Sequence, residues 1–104
     1  MPDVRTGSVQ IQQDPAGTAT LSNVSGSASS VELLAANAGR RGAYFYNDST
    51  ALLYINFGAT ASATAFTVLV PPSGFYEMPS PPYTGSIKGI WASATGACRA
   101  TELT

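Results

Sequence analysis

Histidine is absent from the sequence, and cysteine occurs once, at Cys98. The first absence removes the commonest general base and the commonest metal ligand. The second excludes an intrachain disulfide and suits synthesis in a reducing cytosol. Charge is scarce as well. Only 11% of the 104 residues are Asp, Glu, Lys or Arg, less than half of the ~25% usual in soluble domains. Much of the surface must then be Ser, Thr, Ala, Gly and Asn, or be covered by another molecule. With a net charge of -1, long-range attraction to nucleic acid or to an anionic membrane is weak. Long apolar runs are missing too. No bilayer span, signal peptide or lipid anchor is therefore expected.

The groups that remain for chemistry are dispersed. The six acids are Asp3, Asp14, Glu32, Asp48, Glu77 and Glu102, and none forms a close pair of the kind a glycosidase uses. Cys98 has no histidine to activate it, so a small core residue is the expected role. No G-x-S-x-G elbow, phosphate loop or zinc spacing occurs. Asn23-Val24-Ser25 and Asn47-Asp48-Ser49 match the glycosylation acceptor pattern, as short polar chains do by chance. The expectation is a protein that is not an enzyme, with no catalytic, cofactor-binding or metal-binding residues.

What the chain does have is a series of short apolar segments cut by turn residues. Residues 1–27 stand apart, polar with isolated Val4, Val9, Ile11, Leu21 and Val24. This stretch alone buries too little to offset its ordering entropy, so it reads as an extended arm that orders on a neighbour or frays. Residues 28–104 read as one domain. Strands are expected at 30–34, 43–46, 52–57, 66–70, 75–78, 86–91 and 97–103, rich in β-branched and aromatic residues. The Asn47-Asp48-Ser49-Thr50 turn suggests that Tyr44 to Phe57 is a hairpin. Alternation places Leu53, Ile55 and Phe57, then Phe66, Val68 and Val70, then Ile87 and Trp91, in the core. The fold class is all-β, a single antiparallel β-sandwich or small barrel, jelly-roll-like, with a polar N-terminal arm.

Candidate contact residues come from two groups. Arg40-Arg41 is the only basic pair, either a solvated loop or a bidentate contact to a partner carboxylate. The tyrosines, with Trp91, either fill the core and cross-strand pairs or stack sugars and dock proteins. The partner-contact candidates are Arg40, Arg41, Tyr44, Tyr46 and Tyr83.

The run Leu34-Ala35-Ala36-Asn37-Ala38-Gly39-Arg40-Arg41-Gly42-Ala43, with Tyr46-Asn47-Asp48-Ser49-Thr50-Ala51-Leu52-Leu53-Tyr54, resembles a family of small virion proteins of tailed bacteriophages. Phe57 to Thr64, Phe75-Tyr76-Glu77-Met78-Pro79, Tyr83-Thr84-Gly85, Ile87-Lys88-Gly89-Ile90-Trp91 and Arg99 to Thr104 follow the same pattern. The resemblance spans roughly Val31 to Thr104 and leaves out the arm. It implies a non-enzymatic component of the particle and supplies no catalytic residues. The leading expectation is a capsid decoration (cement) protein on the head exterior, made in the host cytoplasm, bridging major capsid proteins. A homo-oligomer is expected, and a trimer would fit pseudo-threefold positions. The alternatives are a neck, tail, baseplate or fibre-associated protein, and a carbohydrate-binding module for host attachment.

Overall fold

The structure, a computed structural model, describes residues 15–104. Eight strands are formed: β1 (Ala19–Ser25), β2 (Val31–Leu34), β3 (Gly42–Asp48), β4 (Leu53–Phe57), β5 (Val68–Val70), β6 (Phe75–Glu77), β7 (Ile87–Trp91) and β8 (Ala97–Leu103). Sheet I has the order β1-β8-β3-β6 and sheet II the order β2-β7-β4-β5. Every pairing is antiparallel. The pairing is nested: β1 with β8, β2 with β7, β3 with β6, β4 with β5. Successive pairs alternate between sheets, as when one long hairpin is wrapped over itself. That is the eight-stranded jelly roll, a sandwich and not a closed barrel.

Period-2 alternation decides what is buried. In β3, Ala43, Phe45 and Asn47 point inward, while Tyr44, Tyr46 and Asp48 point out. Sheet I offers the small inward residues Ala43, Cys98 and Ala100 beside the larger Val24, Phe45, Asn47 and Tyr76. Sheet II answers with Leu53, Ile55, Ile87 and Trp91, all buried. Burying each aliphatic side chain stabilises the fold by about 1.5–3 kcal/mol. Leu33 and Leu34 are both buried, although alternation would expose one. The register slips between Glu32 and Leu34, and this bulge turns two consecutive leucines inward. Gly89 makes room for Leu33: a Cβ there would lie 2.9 Å from Leu33 Cδ1.

Three expectations are corrected. Tyr44 to Phe57 is not a hairpin, because β3 belongs to sheet I and β4 to sheet II. The reason is Asn47, which is fully buried. Its Nδ2 donates to the carbonyls of Ala51, Val70 and Pro71 at 2.8, 2.9 and 3.1 Å, and its Oδ1 accepts from Ser49 Oγ at 2.7 Å. These bonds tie the end of β3 to the start of β4 and the end of β5, carrying the chain between sheets. The same burial removes Asn47 as a glycosylation acceptor.

The arm drawn over residues 1–27 also ends too late. Ala19–Ser25 pairs along its whole length with β8 of the same chain, and Val24 packs against the core. The sandwich therefore begins at β1, and only residues 1–14 of that arm lie outside the described residues. Lastly, Phe66 is not a core residue. Strand β5 begins only at Val68, and Phe66 is 40% exposed with its ring edge-on to Tyr54 at 5.0 Å.

Candidate functional site

The structure separates the five candidate contact residues. Arg40 is 2% exposed, neither a solvated loop residue nor a contact for a partner. Its Nε donates to Glu102 Oε2 at 2.8 Å, Nη1 to the carbonyls of Tyr83 and Gly85 at 2.7 and 2.9 Å, and Nη2 to Ala35 O at 2.6 Å. The guanidinium thus ties the loop before β3 to the loop before β7 and to β8. Tyr83 belongs to the same structural knot. Its ring stacks on Phe57 at 5.1 Å with planes 8° apart, and its carbonyl is held by Arg40. Phe57 leads on to Tyr76, and Tyr76 to Phe45, at 6.4 Å each, so this aromatic chain plugs one end of the sandwich. Burial raises the Tyr76 hydroxyl above its ordinary value.

Arg41, Tyr44 and Tyr46 lie instead on or beside the outer face of sheet I. The register puts Leu21, Thr101, Tyr44 and Glu77 in one row across the sheet, and Asn23, Arg99, Tyr46 and Phe75 in the next. Leu21 and Phe75 are well exposed, at 76% and 61%. Tyr44 stacks on Phe75 at 5.8 Å, planes 19° apart. Arg99 Nε and Nη2 both reach Asp48 Oδ2, at 3.0 and 2.8 Å. Along β3 the outward positions run Tyr46, Tyr44, Gly42, and the row of rings stops at the glycine. There a cleft of about 340 Å³ opens. Tyr44, Leu103, Met78, Pro79 and Ser80 line it together with Gly42, and Arg41 and Glu77 supply its charges. Gly42, Glu77, Ser80 and Phe75 were not among the contact candidates, because nothing local in the sequence shows that they meet at one cleft.

The outer face of sheet II differs in character. Ile90, Tyr54 and Leu69 are cross-strand neighbours, Phe66 lies against Tyr54, and Leu52 continues the row from β4. Leu52, Phe66 and Leu69 are exposed. No charged side chain interrupts these five. The Lys88–Glu32 pair, 3.1 Å apart, lies one register step away. The run Leu52-Leu53-Tyr54-Ile55 was the available signal: apolar residues at consecutive positions of a strand place some on each face.

Cys98 is fully buried between the sheets. Desolvation pushes its thiol up to about 12, outweighing a backbone hydrogen bond at Tyr46 and the nearby Arg99 charge, which lower it. Such a thiol is a poor nucleophile at neutral pH. Among the described residues, no three of Cys, Asp and Glu gather in a way that could hold a metal ion. Comparison with known proteins identifies no relative: no family model, curated protein or solved structure matches this chain.

Proposed function

We propose that this protein is a non-enzymatic structural component of a bacteriophage particle, a capsid decoration protein that docks through the outer face of sheet II. The observation that carries the reading is the uninterrupted apolar row Leu52, Tyr54, Phe66, Leu69 and Ile90. Contiguous apolar surface on a small domain marks a protein-binding face. Its aromatic members supply rigid contact area at low entropic cost. The sparse charge of the chain fits a protein that spends its life bound. Jelly rolls recur in viral capsid and lectin domains, an association at the level of architecture only. The mechanism is mass action: a protein that binds the assembled shell, and not its dissociated subunits, stabilises the shell by its own binding free energy.

Quantitative mass spectrometry of purified particles, against the major capsid protein, tests the location. A ratio near one per capsid subunit, or a simple fraction such as a third, is expected. About a dozen copies or fewer would move the protein to the neck or tail, and its absence would end the virion reading. Binding of the purified chain to undecorated expanded heads tests the face. Leu69→Asp should abolish it, and unchanged binding would remove sheet II as the docking surface.

A further inference from the structure

The cleft beside Gly42 has properties that the docking face lacks. The geometry points to a second binding site there, for a single neutral saccharide ring carried on a glycan. Four features argue for that ligand class. The volume, about 340 Å³, is at the small end of the ~300–1,000 Å³ usual for ligand sites, so the occupant is ring-sized. Tyr44 forms one wall, and Phe75 stacks on it at 5.8 Å, so the ring is braced before any ligand arrives. An aromatic face fixed in this way suits the C–H face of a sugar. The polar lining mixes a carboxylate (Glu77), a hydroxyl (Ser80) and a guanidinium (Arg41). The two charges cancel, so a phosphate or a carboxylate gains no net attraction. Adjacent hydroxyls on a sugar can donate to and accept from such a set.

The open edge of sheet I beside the cleft belongs to β6, not to β3. Strand β3 is paired on one side with β8 and on the other with β6, and Met78 N donates to Ala43 O at 2.9 Å just beyond. At β3, therefore, recognition has to come from side chains, and the peptide pool in the test below covers strand addition at β6. The glycine is what creates the space. The atoms nearest to a Cβ at Gly42 belong to the Leu103 side chain, Cδ1 at 3.4 Å and Cβ and Cγ at 4.0 Å, so a larger side chain there fills the cleft without forcing the strands apart. The inference does not depend on where in a particle the protein sits.

The test is a two-dimensional ¹H–¹⁵N NMR titration of the full chain. The probes are glucose, galactose, mannose, rhamnose and N-acetylglucosamine, each alone and as a disaccharide. At least one should shift the amides of Gly42, Tyr44, Glu77 and Ser80, with saturation near the ~1 mM expected of a one-ring contact. Tyr44→Ala and Gly42→Leu should each weaken that binding by about tenfold or more. Thr64→Ala, in the exposed loop before β5, should leave it unchanged. The spectra of the variants report directly whether each is folded. If no sugar shifts the cleft amides, or if Gly42→Leu binds as the parent does, the inference is overturned. A cleft that answers to a random hexapeptide pool and to no sugar overturns it as well.

Discussion

Arg40 Nε and Glu102 Oε2 meet at 2.8 Å with the arginine side chain wholly buried and the carboxylate 15% exposed. Three more of the five guanidinium N–H groups donate to backbone carbonyls from two loops. A buried cation is tolerated only when its donors are matched in this way. Arg40→Ala leaves a carboxylate and three carbonyls without that partner and should cost about 3–5 kcal/mol in urea denaturation. Arg40→Lys should recover only part of that, because an ammonium cannot reproduce the planar fork. A loss below about 1 kcal/mol for the alanine variant would mean that water already satisfies these groups.

Asn47 makes a different prediction, about topology as well as stability. Its amide is the polar joint between sheets I and II, with three carbonyl acceptors and one hydroxyl donor. Asn47→Leu fills a similar volume but leaves those groups unpaired, at a cost of about 3 kcal/mol. Ser49→Ala removes one hydroxyl from the same network and should cost about 1 kcal/mol. Equal losses in the two variants, measured by chemical denaturation, would show that the joint does not depend on Asn47.

These two residues also mark where sequence reading succeeds and stops. Alternation found Leu53, Ile55, Ile87 and Trp91, because their period is written locally. Turn chemistry identified Asn47-Asp48-Ser49-Thr50 as a reversal, and the chain does turn there. Which sheet the chain enters next depends on the Asn47 amide meeting Val70 and Pro71, more than twenty residues away, and no local pattern carries that. Arg40 and Arg41 are adjacent and look alike, yet one lies inside and the other outside. Only the approach of Glu102 and the 83–85 loop distinguishes them. The apolar face of sheet II was visible as a run of apolar residues but not as a face. The cleft depends on a missing side chain at Gly42, which leaves no motif to read.

Cys98 ties stability to alkaline pH. Burial holds its thiol up to about 12, against 9.0 ordinarily. Below about pH 8 the group is protonated in both folded and unfolded chains, and its contribution is intact. As pH rises past 9 the unfolded chain ionises while the native chain does not, so the unfolded state gains and stability falls. Relative to Cys98→Ala, the wild type should lose about 1 kcal/mol more between pH 7 and pH 10. The tyrosines, Tyr76 included, are common to both chains and cancel in the comparison. Parallel stability curves for the two proteins would show that the thiol is already reached by water in the native state.

Strand β1 supplies the last prediction, since its placement decides where the domain begins. A chain starting at Pro15 keeps all of β1, and one starting at Gly26 removes it. The second loses a ladder of seven residue pairs against β8 and the packing of Val24 on the core. It should be less stable than the first by roughly 3 kcal/mol or more. The exposed flank of β8 would then be an unguarded edge, so concentration-dependent aggregation is also expected. Val24 pairs directly with Cys98, which gives an independent readout. The thiol should resist a water-soluble maleimide in the longer chain and react readily in the shorter one. If both chains unfold at the same urea concentration and label equally slowly, β1 contributes nothing to the sandwich, and the arm would extend through residue 27 after all.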